Sequence, residues 1–214
     1  LMQSLSLAAI ISLLWVLCGY SLVHDSTAMV TNQINIHSFI GGISKLGLLG
    51  VKVTSLRGSI PELLFAAFQL TFAIIATVLM IGSFAERMRF SAVLWFSSLW
   101  FFVVYIPICH MTWGGSGGLF VNWGVIDFAG GIVVHITAGC SALVACIVVG
   151  PRAGYPNMLV PPHNMTMAFT GIALLWVGWL GFNAGNALSA NGTAASALLV
   201  THLSACSATV VWMT

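Results

Sequence analysis

Six long apolar stretches constrain this 214-residue chain more than any other feature of its sequence. They cover roughly 1–23, 62–84, 90–113, 127–150, 164–187 and 192–213, and each is close to the about 20 residues that a helix needs to cross a bilayer. The connections are short, apart from a polar segment around 24–60. The pattern predicts an all-α polytopic transmembrane helical bundle, with residues 1–214 forming a single transmembrane domain.

Composition agrees with a membrane location and excludes several classes of function. Charged residues make up 5% of the chain, against roughly 25% in soluble domains, so the chain could not cover a water-facing surface. The net charge of +2, without any basic run, gives no sign of a nucleic-acid partner. No nucleophile–base pair, phosphate-binding glycine loop or metal-ligand spacing is present, so we expect neither an enzyme nor a metal or other cofactor.

Basic residues predict how the spans are oriented. Arg87 and Arg89 follow the second apolar stretch and Arg152 follows the fourth. Because basic residues favour the cytoplasmic side, these turns are predicted to be cytoplasmic. The 24–60 segment is then predicted to lie outside, although it carries three basic residues of its own.

Two ionisable residues in the fourth apolar stretch are candidates for function, because such side chains are costly in lipid. Asp127 opens the stretch and His135 lies eight residues later, near its middle. At about 100° per residue their directions differ by roughly 80°, so both can border one interior without touching. Asp127 could instead cap the helix, and His135 could be a packing residue. A histidine there could also hydrogen-bond a small polar solute and exchange a proton.

Aromatic residues near the predicted span ends allow two interpretations. They are Phe68, Phe72, Trp113, Trp179 and Phe182. Aromatic rings at a membrane boundary are often interface anchors. Their faces also attract cations such as ammonium within about 6 Å. Periodicity alone does not decide between the two.

Longer motifs carry a family resemblance over nearly the whole chain. Asp127 to His135 reads DFAGGIVVH, Phe68 to Phe72 reads FQLTF, and Ala85 to Ser91 reads AERMRFS; YIPICHMTWGG spans Tyr105 to Gly115, PHN spans Pro162 to Asn164, and GWLGFNAG spans Gly178 to Gly185. In their order along the chain they resemble the ammonium transporter family, the Amt/MEP/Rh group. The contexts of Trp113 and Asp127 are more similar to the Amt branch than to an Rh-like gas channel.

The resemblance implies a function, a fold and a role for each candidate residue. The fold would be an eleven-helix, pseudo-symmetric channel in a homotrimer, located in the plasma or inner membrane. Ammonium would be recruited at an outer site with Trp113 and deprotonated, and ammonia and the proton would cross an apolar pore. Phe72 and Phe182 would form a stacked gate, Asp127 would support the site indirectly, and His135 would be the first pore histidine.

The chain also differs from the family pattern in two ways. The six spans match the family's second to seventh, so the first and last four would lie outside residues 1–214, together with the second pore histidine. We therefore expect no transport from this segment alone. Asn186 stands where the family commonly has a serine that hydrogen-bonds the recruited ion. The change could be harmless or could slow conduction, as would suit an ammonium sensor attached to a downstream signalling domain. A PII-type regulator would be a further partner.

Overall fold

The computed structural model describes residues 1–214 and contains six helices long and apolar enough to cross a membrane. The six spans are Met2–His24, Glu62–Ser83, Phe90–Trp113, Gly131–Val149, Met165–Ala187 and Gly192–Met213. The predicted all-α fold with six spans is confirmed. The largest difference in bounds is at the fourth span, which begins at Gly131 and not at residue 127.

Three of the spans contain a π-helical turn, in which the backbone is locally wider than an α-helix. These turns are Trp15–Gly19, Phe101–Tyr105 and Gly131–Ile136. The second lies just before Pro107, a residue that has no N–H to donate to the preceding turn. A proline inside a helix disturbs the hydrogen bonds of the preceding turn, and here a π-helical turn re-pairs the neighbouring backbone groups.

Short elements complete the chain outside the regular parts of the spans. They are 3₁₀ turns at Ile36–Ser38, Leu46–Leu48, Ile81–Ser83 and Gly185–Ala187, strands at Leu56–Arg57 and Ile60–Pro61, and a helix at Leu119–Asn122. The chain divides into two compact units. The first comprises Leu1–Arg57 and Pro61–Ala153, and the second comprises Gly58–Ile60 and Gly154–Thr214.

The first unit has a core of large aromatic side chains between its spans. The rings of Trp15, Phe72, Phe101 and Tyr105 are almost completely buried. Trp15 Nε1 donates to the Ala66 carbonyl at 3.1 Å, which joins the first and second spans. A buried indole N–H needs such an acceptor, because lipid and packed side chains offer none.

The end of the first span is tied to three distant parts of the first unit. The last four carbonyls of a helix have no partner within it. Here Ser21 O accepts from Asp25 N and Leu22 O accepts from Gly41 N. Val23 O lies 2.6 Å from His110 Nδ1, and the Arg57 guanidinium donates to His24 O at 3.4 Å. Every terminal carbonyl of the span is therefore paired.

Arginine side chains tie the predicted cytoplasmic ends of the second and fourth spans. The Arg87 guanidinium donates to the carbonyls of Ser83 and Gly150. Arg152 makes a two-pronged ion pair with Glu86, through Nε at 3.1 Å and Nη2 at 2.7 Å. The Arg87 contacts satisfy helix-end carbonyls, whereas the exposed ion pair contributes little to stability.

The second unit consists mainly of the fifth and sixth spans, each started by an asparagine. Asn164 Oδ1 accepts from Met167 N at 2.9 Å and Asn191 Oδ1 accepts from Ala194 N at 3.0 Å, as expected of N-caps. Between the spans, Asn183 Nδ2 donates to Thr201 Oγ1 at 3.0 Å. This bond fixes the two helices against each other near the C-terminal end of the fifth span.

Candidate functional site

Asp127 lies before the fourth span and caps it with both carboxylate oxygens. Oδ1 accepts from the backbone N–H groups of Gly130 at 2.6 Å and Gly131 at 2.9 Å. Oδ2 accepts from those of Ile132 at 2.8 Å and Val133 at 3.0 Å. One side chain thus satisfies four N–H groups at the start of the helix, and its charge complements the helix dipole.

The angle of roughly 80° predicted between the directions of Asp127 and His135 on one helix is therefore wrong. Asp127 lies outside the helix, so an angle counted at 100° per residue has no meaning there. Gly130 has left-handed torsion angles, φ 102° and ψ 22°, and the helix begins after it with the π-helical turn Gly131–Ile136. Gly130 and Gly131 thus mark the entry of the fourth span.

An aromatic cluster of Phe68, Phe72 and Trp113 forms beside this cap. The ring centroids of Phe68 and Phe72 lie 5.1 Å apart, and those of Phe72 and Trp113 lie 5.2 Å apart, both pairs edge to face. Trp113 Nε1 donates to the main-chain carbonyl of Asp127 at 2.8 Å. The structure therefore brings together Phe72, Trp113 and Asp127, and the capped turn fixes the Trp113 ring.

His135 lies in the π-helical turn of the fourth span and its side chain is exposed. Its backbone N–H donates to Gly130 O at 3.1 Å, a bond reaching back five residues. π-helical turns occur often at functional sites, because the extra residue re-aims neighbouring side chains. The structure thus gives His135 a special backbone context without placing it in the aromatic cluster.

Phe182 and Asn186 belong to the second unit, at the end of the fifth span. The Asn186 amide Nδ2 donates to the carbonyl of Phe182 at 2.9 Å, within the 3₁₀ turn Gly185–Ala187. The next residue but one, Leu188, has a positive φ of 52°. Since the amide nitrogen is engaged with the helix end, Asn186 has its Oδ1 as the acceptor for a further partner.

The buried carboxylate of Asp25 organises the polar connection after the first span. It accepts from Thr27 N and Oγ1 at 3.1 and 2.7 Å and from Ser44 N and Oγ at 2.8 and 2.6 Å. Burial alone would raise the pKa of Asp25, but the hydrogen bonds from Ser44 and Thr27 outweigh it and lower that pKa to about 2. The carboxylate is therefore ionised under physiological conditions.

Sequence patterns assign no role to two groups that matter for the cluster, the His110 ring and the main-chain carbonyl of Asp127. His110 is completely buried, and its ring nitrogens face the carbonyls of Val23 and His37. The Asp127 main chain holds Trp113 through an atom that every residue type has, so no side-chain pattern could indicate it. For His110 a signal existed: a histidine three residues before Trp113 inside an apolar span.

No three His, Cys, Asp or Glu residues converge as metal ligands would.

Comparison with known proteins confirms the resemblance read from the motifs. A putative ammonium transporter of Methanothermobacter thermautotrophicus is 46% identical over 204 residues, covering 95% of this chain and 47% of that protein. An ammonium transporter of Bacillus subtilis is 42% identical over 214 residues, covering 99% of this chain and 50% of that protein. The chain thus spans about half the length of these relatives.

Solved structures give the same result for the fold. Mep2 of Saccharomyces cerevisiae superposes with a TM-score of 0.76 at 34% identity, covering 89% of this chain and 42% of that one. A structure described as a sensor Amt protein superposes with a TM-score of 0.82 at 28% identity, covering 98% of this chain and 51% of that one. Together with the six apolar spans, these likenesses identify a multi-pass membrane protein. The Ammonium Transporter Family matches residues 1–214, and the chain belongs to that family.

Proposed function

We propose that the complete natural chain containing residues 1–214 transports ammonium across a plasma or inner membrane. Ammonium is recruited at the aromatic cluster and loses a proton, and ammonia and the proton then cross an apolar pore lined by His135. The single observation that carries this proposal is the Trp113 ring, packed on Phe72 and held by the Asp127 carbonyl.

The aromatic cluster has the chemistry that an incoming ammonium ion requires. Ring faces attract a cation through their quadrupole, most strongly for tryptophan. Trp113 is partly exposed whereas Phe72 is buried, so the indole offers the accessible face and Phe72 supports it. The Phe72–Phe182 gate remains part of the proposal, and it rests on the family resemblance.

An apolar path beyond the cluster favours ammonia over ions that must stay charged. Burial of an unpaired charge is prohibitive, so potassium, which cannot lose a proton, would be excluded. Ammonium can give up its proton and continue as a neutral molecule. His135 is suited to bind the ammonia, because an imidazole both donates and accepts hydrogen bonds.

The assembly follows from family membership and remains part of the proposal. Residues 1–214 would belong to one transmembrane domain within a homotrimer embedded in the lipid bilayer. A PII-type regulator would be a further partner. The relatives are named as ammonium transporters, and this favours transport over an enzymatic function.

A conservative change at Trp113 tests the site directly. Trp113→Phe keeps an aromatic ring beside Phe72 but removes the N–H that Asp127 O accepts. In liposomes on a solid-supported membrane, we expect the ammonium concentration for half-maximal current to rise about fivefold to tenfold, the effect of one lost buried hydrogen bond. Trp123→Phe is the matched control, because Trp123 lies in the connection that follows the third span and is 62% exposed.

His135→Ala extends the test to the pore. We expect its maximal current to fall at least about tenfold, with half-saturation changed less, since the histidine acts after recruitment. Equal half-saturation values in Trp113→Phe, Trp123→Phe and the natural protein would exclude a role in recruitment for the bond between Trp113 Nε1 and the Asp127 carbonyl. A normal maximal current in His135→Ala would exclude the pore role.

A second candidate function is an ammonium sensor. It is supported by the fold likeness to the protein described as a sensor Amt protein and by Asn186 in the position where the family commonly has serine. In this case the chain would bind ammonium with saturable affinity and give no current. A saturable current from the natural protein would exclude it as the sole function.

A further inference from the structure

We propose that His110 is a positioning residue of the ammonium site, which holds the helix end that carries Trp113. This inference rests on the function proposed above. His110 itself does not face the ion, since its side chain is completely buried. Its effect would pass through the backbone of the third span to the Trp113 ring.

Both ring nitrogens of His110 face main-chain carbonyls from separate parts of the first unit. Nδ1 lies 2.6 Å from Val23 O, in the last turn of the first span. Nε2 lies 2.8 Å from His37 O, in the 3₁₀ turn of the long polar connection. A neutral imidazole carries one N–H, so the ring donates to one of these carbonyls and lies in close contact with the other. One side chain thus fastens the third span to two other elements.

The backbone around His110 is packed too tightly to shift independently of its ring. Gly114 N donates to His110 O at 2.8 Å, closing the last turn of the third span. A Cβ at Gly114 would lie 2.5 Å from His110 Nδ1, and one at Gly118 would lie 2.5 Å from Met111 O. The chain after Trp113 therefore passes close to the His110 ring at Gly114 and close to the Met111 carbonyl at Gly118, and a side chain at either position would clash.

Trp113 lies within the turn that His110 fixes, three residues further along the same helix. Its indole reaches Asp127 O on one side and Phe72 on the other. If the helix end moved relative to the first span, these two contacts could not both be kept. The His110 bonds are therefore expected to determine how well the aromatic cluster is formed before ammonium arrives.

His24 provides a matched control in the same unit. Its ring is 1% exposed, like that of His110, and is packed among Trp15, Tyr20 and Phe65 with centroids 4.9 to 6.0 Å away. No carbonyl of another element lies within hydrogen-bond distance of its nitrogens, and the polar side chain that faces the ring is Gln69. Replacing it by phenylalanine keeps a ring in an aromatic setting and removes no contact to a main-chain carbonyl.

The experiment compares His110→Phe, His110→Gln and His24→Phe in the complete natural chain. Half-saturation for ammonium is measured by current, or by binding if no current flows, and values are normalised to folded protein. We expect His110→Phe to raise the ammonium concentration that gives half of the maximal response at least about tenfold. Its maximal current should change less than about twofold. His110→Gln, whose donors sit on one nitrogen, should lie between, and His24→Phe should match the natural protein.

Two results would overturn the inference. One is half-saturation in His110→Phe within twofold of the natural protein. The other is an equal rise in His24→Phe, since this would indicate a general response to core substitution. If His110→Phe does not fold, the half-saturation of His110→Gln decides in its place. Absence of any saturable response in the natural protein would instead remove the proposed function, and this inference with it.

Discussion

Asp127 combines two contacts that a single residue seldom provides together. Its side chain caps four backbone N–H groups of the fourth span, and its own carbonyl holds the Trp113 indole. Helix capping and support of the aromatic cluster are therefore compatible roles. A side-chain substitution at Asp127 would act on the cluster through the cap, because the atom that touches Trp113 belongs to the main chain.

Asn186 allows a direct test of the change from the common family residue. Its amide donates to Phe182 O, and a serine hydroxyl could make the same bond to the preceding turn. What differs is the acceptor offered to an ion, a carbonyl oxygen in asparagine and a hydroxyl oxygen in serine. We expect Asn186→Ser to raise maximal ammonium current at least about threefold. This ratio corresponds to a free-energy difference smaller than the contribution of one hydrogen bond.

Asn191→Ser is the control for this substitution. Asn191 lies in the same unit and caps the sixth span, and serine is an equally good N-cap. Its current and stability should remain unchanged. Equal currents in Asn186→Ser and the natural protein would make the asparagine a neutral replacement.

Among the elements, the fourth span depends most on a single backbone conformation. Gly130 has φ 102°, which allows its own N–H to meet Asp127 Oδ1 and its carbonyl to accept from both Val134 and His135. A side chain there would strain the backbone, and its Cβ would lie 2.9 Å from Val134 Cγ2. The π-helical turn carrying His135 starts from this point.

We therefore expect Gly130→Ala to destabilise the protein by about 1–2 kcal/mol, the cost of a left-handed residue with a Cβ. Thermal unfolding of the complete chain in detergent measures this. Gly139→Ala is the matched control in the same span, because a Cβ there meets nothing within 4 Å. This change should be neutral or stabilising by up to about 1 kcal/mol. Equal stability of the two variants would show that the Gly130 conformation is not required.

At the scale of the whole molecule, the connection after the first span gives stability a dependence on pH. The pKa of Asp25 is about 2 in the folded protein, below the roughly 3.9 of an unfolded aspartate. A lowered folded-state pKa means that the carboxylate stabilises the fold above about pH 4. The contribution is lost as pH falls from about 4 through about 2.

Asp25→Asn should show this dependence. At pH 7 we expect the variant to be less stable by about 1–3 kcal/mol, because hydrogen bonds to a charged group are replaced by bonds to a neutral one. The difference from the natural protein should narrow when unfolding is measured below pH 4. Glu86→Gln, at an exposed ion pair, should cost at most about 1 kcal/mol. A difference that stays constant down to pH 2 would contradict the assignment.

The positions of the spans could be predicted from the sequence, whereas the contacts of the site could not. The length of an apolar stretch determines a span almost alone. Five of the six predicted spans therefore begin and end within one or two residues of the observed ones. Asp127 was a candidate, but its place outside the helix depends on the φ of Gly130, which composition does not reveal. The roles of His110 and of the Asp127 carbonyl depend on main-chain partners far away in sequence, and side-chain patterns carry no information about these.

The pairing of the first span's last carbonyls also bears on how the protein is made. Val23 O meets His110, which lies 87 residues later. At about 5–20 residues per second, the ribosome needs about 4–17 s to synthesise the intervening chain. During that interval the newly inserted helix has to keep this end in contact with water or with the insertion machinery. The contact between the end of the first span and His110 can therefore form only after the third span has been synthesised.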